Sequence, residues 1–528
     1  MKRLIQGAVL ASSIIASSFT ALAQTDGGTL VYLAQPEPPT LASYVSTSGP
    51  IGLVAPKIYE GLFDYDTEGK MIPVLAKSVD VSADGKTVTF MLQDGVVWHD
   101  GTPFTSADVK FSVMEVLSKV HPRGPNSFRE VESIDTPDDT TAVFHLKNPA
   151  PYMLRALSGY ESPIVPKHLL EGTDIKSADL ANNPVGTGPF KFTEWKKGQY
   201  IRLDKNEDYW KEGLPHVERV VARFIPDAST RTAAMENGEV LYTGYNGIPN
   251  IDAVRLRDRD DISVTTDGYS MINPMALLEF NTKEGPFTDP VVRRAISNAV
   301  DRQFMIDTIF FGYGKPASSA LSSSFAATDL YKPMPNYPAK GDVEAAKKML
   351  DDAGYKPDGD GVRMKAILDV IPYGEDWRRA GEYLKQALGD IGIQIELRYE
   401  DVPTWLKRVY HNYDFVMNLN YFYQLPDPVL GVHRHYGTDQ IRQGTHFVNS
   451  SRYSNPKLDA LLDAGAKEPD AAKRSAIYED VQEILAEDMP VVNLFEMQFL
   501  TVYNTKLKGV YGSAMGPYGS FAEGWLEE

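Results

Sequence analysis

Alternating apolar and polar residues predict strands in the first part of the chain. Residues 28–33 are a mostly apolar run that predicts a first strand, and the cluster of prolines at 36–39 ends it, because proline stops a strand. Residues 79–81 and 88–92 alternate between apolar and polar on either side of Asp84-Gly85, a pair typical of hairpin turns. After them, Thr105 begins a capping box that predicts a helix. The first part is therefore expected to be rich in strands.

The second half of the chain alternates predicted helices with predicted strands. Asp289 and Pro290 together are typical of a helix start, and Val292 and Ile296 then lie on one helical face. This alternation favours layers of helices on sheets, an α/β fold. The other predicted helices of this half are 342–353, 377–388, 456–464 and 470–487, and its predicted strands are 393–397, 491–495 and 499–503.

The clearest candidate for a binding surface follows an apolar alternating run at 415–420. This run predicts a buried strand, and two prolines at 426 and 428 end it. Tyr421, Tyr423, Gln424 and Asp427 crowd onto this strand end, and open α/β sheets hold ligands at strand ends. An ordinary turn with aromatic core residues is the alternative, and the pattern alone does not separate the two.

A second candidate is the polar run at 43–49, which includes Thr47 and Ser48. Small hydroxyl residues that follow a strand can orient a ligand, although most such runs are plain loop.

The N-terminus predicts export. Lys2 and Arg3 precede an apolar run at 4–19, and small residues at 21–23 form a cleavage site. No later stretch has the roughly 18 apolar residues of a membrane anchor. The chain contains no cysteine, which excludes disulfides, thiolate metal sites and a lipidated cysteine. We expect a soluble periplasmic protein after cleavage near Ala23.

The net charge restricts the binding partners that can be expected, and the chain length indicates the number of lobes. The formal net charge is -18, and it becomes more negative once Lys2 and Arg3 leave with the signal peptide. Nucleic acids and anionic lipids require clustered basic residues, so neither is an expected partner. A chain of 528 residues should form two or more lobes, because single cores stop growing at about 250–300 residues.

The lack of common catalytic and metal-binding motifs favours a protein that is not an enzyme. The sequence has no nucleophile elbow, zincin motif, phosphate loop or EF-hand loop. The pair His99-Asp100 lacks a serine partner nearby and predicts a turn with a packed histidine. His433 and His435 are spaced as metal ligands only on a strand, and a solvated or salt-bridged pair is the alternative.

Seven blocks of the sequence, in a fixed order along the chain, carry a resemblance to a known family. They are 83–90, 98–105, 165–169, 183–190, 206–210, 280–282 and 292–295. The blocks resemble those of the large periplasmic solute-binding proteins of peptide-type ABC importers, whose relatives bind dipeptides, oligopeptides, nickel complexes and opines. The resemblance covers nearly the whole mature chain. It implies no cofactor, a small-molecule solute as ligand, a cognate inner-membrane ABC permease as partner and a monomeric state.

The resemblance also implies an α/β fold of two lobes with an extra β-rich domain inserted in the first lobe. Residues 1–23 would be the signal peptide and 59–182 the extra domain. The second lobe would take 277–490. The first lobe would be formed from three parts, 24–58, 183–276 and 491–528.

Two positions depart from the dipeptide-binding members of the family. Those members hold the ligand amine with an aspartate that aligns with Gln424, three residues before Asp427. They hold the ligand carboxylate with an arginine that aligns with Ile371. An uncharged amide makes a weaker bond to an ammonium than a carboxylate does. A ligand other than a simple dipeptide is therefore expected.

The resemblance thus implies a receptor that closes two lobes on a small organic, peptide-like solute. Tyr421 and Tyr423 would form aromatic walls, Gln424 and Asp427 polar contacts, and Thr47 and Ser48 contacts from the first lobe. Asp427 is also a candidate helix cap. The alternatives are a nickel-type receptor for a metal or metal chelate and, with less support, an exported hydrolase.

Overall fold

A computed structural model describes residues 26–176, 178–510 and 513–527. The predicted signal peptide and its cleavage site lie outside these ranges. Among the described helices, none has the length and apolar character needed to cross a bilayer.

A seven-stranded sheet forms the centre of the first lobe. The predicted first strand is confirmed at Thr29–Leu33, where it pairs in parallel with Arg219–Arg223. The helices Ala228–Glu236 and Asn250–Leu256 belong to this lobe. In spatial order the strands are Ile262–Thr265, Thr501–Asn504, Tyr242–Thr243, Thr29–Leu33, Arg219–Arg223, Tyr200–Lys205 and Phe190–Lys196.

A six-stranded sheet forms the second lobe. Near its middle lies Pro274–Phe280, a strand in which all seven residues are buried and which is antiparallel to Met417–Tyr423. Burial on both faces explains why this strand is apolar at every position except Glu279. In spatial order the strands are Gly314–Pro316, Val491–Met497, Pro274–Phe280, Met417–Tyr423, Met364–Val370 and Ile393–Arg398.

Helices cover this second sheet largely where the apolar spacing predicted them. Asp289, Asp342 and Asp470 each accept a hydrogen bond from a backbone N–H in the first turn of the helix that follows, as N-cap residues do. The helices are Pro290–Ala299, Arg302–Phe304, Val343–Asp352, Glu375–Gly389, Val402–Leu406, Pro428–Gly431, His433–Tyr436, Pro456–Lys467 and Ala471–Asp488.

The predicted β-rich extra domain contains a four-stranded antiparallel sheet. Its first two strands form the hairpin predicted at Asp84-Gly85, and its core also takes in Leu425, Val429 and Leu430 of the second lobe. The strands in order are Ala76–Val81, Thr87–Leu92, Thr141–Leu146 and Val131–Asp138, with a short hairpin of Phe63–Tyr65 and Met71–Pro73 beside them. Its helices are Ser106–Phe111, Gly124–Ser127 and Lys167–Leu170.

His99 ties this extra domain to the first lobe. Its Nε2 lies 2.9 Å from the Gly188 carbonyl, and the Gly186 N–H donates to its Nδ1 at 3.2 Å. A Cβ on either glycine would collide with the carbonyl of Ile58. His99 and the two glycines therefore form a tight domain junction, which agrees with the predicted packed histidine.

Two consecutive strands near the C-terminus belong to different sheets. The strand Val491–Met497 pairs with Pro274–Phe280 inside the second sheet, and the chain returns to the first sheet only with Thr501–Asn504. The predicted division places 491–528 in the first lobe, whereas the strand Val491–Met497 lies in the second sheet. The exact domain boundaries stay predictions.

A buried carboxylate lies at the centre of the second sheet. Glu279 Oε2 accepts hydrogen bonds from Asn418 at 2.5 Å and Asn420 at 3.1 Å, and Oε1 accepts one from Ser450 at 2.8 Å. No basic side chain is paired with it among the residues that the structure describes. Burial raises the pKa of Glu279 to about 7, although these hydrogen bonds act in the opposite direction.

Glu279→Gln is expected to remove a pH-dependent loss of stability. Between the usual glutamate pKa of 4.5 and about 7, the unfolded chain releases this proton while the folded chain keeps it. The free energy of unfolding therefore falls as pH rises, by about 3 kcal/mol in total. A glutamine fits the site, because its oxygen accepts from both asparagines and its amide donates to Ser450.

Urea unfolding between pH 5 and 8 measures this effect as the difference between the wild-type and Glu279→Gln curves. The exposed Glu115→Gln provides the control, since Glu115 forms a surface ion pair with Lys119. If the Glu279→Gln and wild-type curves stay parallel over this pH range, Glu279 does not titrate as described.

Candidate functional site

Two tyrosines at the end of the strand Met417–Tyr423 form an aromatic wall. Tyr421 and Tyr423 lie on one face of the strand, with ring centroids 5.9 Å apart, because side chains alternate along a strand. Tyr421 stacks on Trp377 at 5.5 Å and meets Tyr373 edge-on at 5.9 Å. The predicted aromatic residues are thus assembled as one surface of the second lobe.

Aromatic residues from the first lobe and the C-terminal segment pack against this wall. Phe499 follows the strand Val491–Met497 in the chain. The centroid of its ring lies 6.1 Å from that of Tyr421 and 6.3 Å from that of Tyr423. Tyr245 lies 5.1 Å from Phe499 and stacks on Tyr518 at 4.6 Å. Rings from both lobes are therefore in contact across the cleft between them.

The loop that contains Thr47 and Ser48 reaches the same cluster. The Tyr160 hydroxyl donates to the Thr47 carbonyl at 3.1 Å, and the Tyr160 and Tyr518 rings lie 4.1 Å apart. A Cβ on Gly52 would meet both of these rings at less than 3.0 Å. The structure thus brings Thr47 to the edge of the aromatic cluster through its backbone, whereas Ser48 is exposed.

Gln424 is buried behind the aromatic wall. Its Oε1 accepts from the Ser322 N–H at 2.7 Å, and its Nε2 donates to the Ala320 carbonyl at 2.8 Å. Only 1% of the side chain's surface is exposed. Both ends of the amide are therefore bonded inside the second lobe, and the ligand contact expected from the sequence stays a prediction.

Asp427 has the capping role that the sequence offered as an alternative. One carboxylate oxygen accepts from the Val429 N–H at 2.9 Å, at the start of the helix Pro428–Gly431. The same carboxylate forms a two-pronged ion pair with Arg474, with both contacts at 2.8 Å. These bonds hold the turn after the aromatic wall in place.

A charged cluster that the sequence reasoning missed lies beside the tyrosines. Arg123 of the extra domain pairs with Glu161 at 2.9 Å, and both side chains are nearly buried. The Arg123 guanidinium lies 5.0 Å from the Tyr160 ring. Arg434 of the second lobe donates to the Tyr423 carbonyl at 2.7 Å. No motif marked these arginines, because they meet only when the extra domain and the second lobe come together.

The cluster carries more positive than negative charge. Burial and the nearby Arg123 lower the pKa of Arg434 to about 10, although Glu161 acts in the opposite direction. Burial opposes the charge of Arg123, but Glu161 raises the pKa of its guanidinium. Among the described residues, Glu161 is the one carboxylate paired with these two arginines. In the part of the chain that the structure describes, two guanidinium charges thus share one carboxylate, next to aromatic rings.

An open cleft of about 630 Å³ lies beside the aromatic cluster. It is bounded by Tyr269 and Asn273 of the segment that leads into the second sheet, by Glu68 of the extra domain, and by Ser322 and Glu496 of the second lobe. Ligand pockets typically have volumes of about 300–1,000 Å³. This cleft is thus large enough for a small organic molecule, although neither the two tyrosines of the aromatic wall nor an arginine lines it.

The two histidines considered for metal binding point in different directions. His433 Nε2 lies 2.9 Å from the Tyr478 hydroxyl, whereas the His435 ring packs 3.6 Å from the Phe422 ring. Both lie on the short helix His433–Tyr436, where residues two apart do not share a face.

Comparison with known proteins agrees with this architecture. Residues 70–443 match the family model of bacterial extracellular solute-binding proteins, family 5 Middle. The chain is 27% identical over 507 residues to the glutathione-binding protein GsiB of Salmonella typhimurium, covering 95% of this chain and 94% of that protein. It is also 27% identical to GsiB of Pectobacterium atrosepticum, covering 87% and 86%.

Solved structures show the same fold. The protein AgaA from A. tumefaciens R10, in complex with agropinic acid, superposes with a TM-score of 0.79 at 29% identity, covering 95% of this chain and 99% of that chain. The oligopeptide-binding protein AppA from Bacillus subtilis, in complex with a nonapeptide, gives 0.80 at 25% identity, covering 96% and 100%.

These matches confirm the resemblance and the two-lobed α/β fold predicted from the sequence. The family consists of substrate-binding proteins and not of enzymes, which agrees with the lack of catalytic motifs. The chain therefore belongs to family 5 of the bacterial extracellular solute-binding proteins, the substrate-binding components of ABC importers.

Proposed function

We propose that this receptor captures a small organic solute that carries a carboxylate, such as an acidic peptide or an opine, and delivers it to its inner-membrane ABC permease. The observation that carries the proposal is that the guanidinium charges of Arg123 and Arg434 share one carboxylate beside the aromatic wall. A partly buried guanidinium binds a carboxylate strongly, because the fork of N–H donors matches its two oxygens. The receptor would act in the periplasm as a monomer, after cleavage near Ala23.

The aromatic wall and the residues around it suit the remainder of such a solute. Tyr421 and Tyr423 offer aromatic faces, and Thr47 lies at the opposite edge through Tyr160. In this proposal Gln424 positions the loop at Ala320 and Ser322, and Asp427 caps the helix after it. Ile371 is buried and offers no charge where dipeptide binders carry an arginine.

Closure of the cleft on the ligand is expected because the two arginines belong to different parts of the protein. Arg123 belongs to the extra domain and Arg434 to the second lobe, so a carboxylate that binds both arginines draws these parts together. A ligand shifts a protein toward the closed state only through contacts that the open state lacks. Direct contacts already close the cleft at its rims, where Asn126 donates to the Val429 carbonyl at 2.9 Å and Asn250 donates to Asp376 at 3.2 Å.

A thermal-shift screen tests the proposed ligand class. The panel contains acidic peptides, opines, amino-acid derivatives and neutral sugars, and each acid is paired with its methyl ester. We expect at least one acid to raise the melting temperature while its ester does not. A panel in which neutral sugars or esters give the largest shifts would exclude the proposal.

Gln424→Leu separates a positioning role from direct ligand contact. The leucine leaves the Ser322 N–H without its acceptor in a buried site, which is expected to cost about 1–3 kcal/mol of stability. Urea unfolding measures this, with the exposed Gln386→Leu as the matched control. An unchanged stability together with lost ligand binding would instead make Gln424 a ligand contact.

A further inference from the structure

Two exposed histidines of the second lobe face each other away from the aromatic wall. The Nε2 atoms of His411 and His446 lie 3.2 Å apart. His411 belongs to the last turn of the helical segment Lys407–Asn412, and His446 lies in the loop that follows residue 440. No sequence motif marks this pair, because 35 residues separate the two histidines.

The two segments are fixed to each other by several contacts. The Gly444 N–H donates to the Tyr410 carbonyl at 2.8 Å, and the Gln443 amide donates to the His411 carbonyl at 2.6 Å. The His446 ring lies 5.8 Å from the ring of Tyr410, which is fully buried. The backbone thus holds both imidazoles near each other before any ligand arrives.

We infer that His411 and His446 form a chelating site for a divalent transition-metal ion, with Zn²⁺ as the best match. Two imidazole nitrogens at the usual Zn–N distance lie about 3.3 Å apart in a tetrahedral arrangement and about 2.9 Å apart at a right angle. The observed 3.2 Å is nearer the tetrahedral spacing. Water molecules complete the coordination, since the described residues contain no third His, Asp or Glu in position.

The surroundings favour a metal over a simple ion pair. His145 and His168, two other exposed histidines, each bind a carboxylate, at 2.9 Å from Asp135 and 2.7 Å from Asp100. His411 and His446 instead bind each other. The net charge of -18 attracts cations to the surface.

Calorimetric titration of ZnCl₂ into chelator-treated protein without a polyhistidine tag tests the site. We expect the wild-type chain to bind one more equivalent of Zn²⁺ than either His411→Ala or His446→Ala, and His145→Ala to match the wild type. Melting temperatures of the zinc-free variants, which alter only exposed side chains, should equal that of the wild type.

Two results would overturn the inference. One is a wild-type chain that binds no Zn²⁺, which would leave the pair as a hydrogen bond between imidazoles. The other is a bound equivalent that both alanine variants keep, which would place the metal elsewhere. Neither result bears on the solute cleft.

Discussion

Replacement of Arg474 by glutamine is expected to lower the free energy of unfolding by about 3–5 kcal/mol, because it leaves a buried charge without its partner. Arg474 and Asp427 are 11% and 6% exposed and are joined by two contacts of 2.8 Å. Arg474 also donates to the Gly465 carbonyl at 2.8 Å. Urea unfolding of the variant measures the loss directly.

Two further variants show whether the unpaired carboxylate of Asp427 causes the loss of stability. Adding Asp427→Asn to Arg474→Gln removes that charge, so part of the stability should return. Arg379→Gln removes an exposed guanidinium that lies 3.5 Å from Glu375, and a change within about 0.5 kcal/mol is expected there. If Arg474→Gln costs no more than Arg379→Gln, the pair does not stabilise the turn after the aromatic wall.

The second large effect concerns ligand affinity. Arg434→Gln is expected to weaken binding of a carboxylate solute by about 2 kcal/mol or more, which is roughly thirtyfold. The variant removes one of the two positive charges beside Tyr160 and Tyr423 and leaves Glu161 to neutralise Arg123. Isothermal titration with the strongest acid from the thermal-shift screen measures the change.

Glu161→Gln is the informative counterpart, because it changes charge in the opposite direction. Removing the carboxylate frees Arg123 for the ligand, so affinity for the acid should be kept or increased. Arg434→Lys retains a charge but loses the two-pronged geometry, and an intermediate affinity is expected. Equal losses in all three variants would mean that packing, and not charge, sets the affinity.

Much of the fold follows from local patterns in the sequence. The capped helices after Asp289, Asp342 and Asp470 begin where the sequence predicted them, because an N-cap acts on its own first turn. The hairpin at Asp84-Gly85 is also confirmed, because a tight turn acts only on the two strands beside it. The strand Val491–Met497 was predicted, but its place in the second sheet depends on pairing with residues more than 200 positions away.

The charged part of the site could not be predicted from the sequence. Arg123 and Arg434 lie 311 positions apart in the sequence, and neither belongs to a recognisable motif. The tyrosines were found because they follow a buried strand. The buried bonds of Gln424 were not foreseen, because its partners Ala320 and Ser322 lie in a loop about 100 residues earlier.

If the two arginines select the solute, the protein retains molecules by their carboxylate. This is tested by unfolding and refolding the protein, mixing it with a defined set of acids, their methyl esters and neutral sugars, and identifying by mass spectrometry what remains bound after gel filtration. We expect that free acids alone are retained and that Arg434→Gln retains far less of them. Retention of esters or sugars as strongly as acids, or equal retention by Arg434→Gln, would show that the carboxylate does not select the solute.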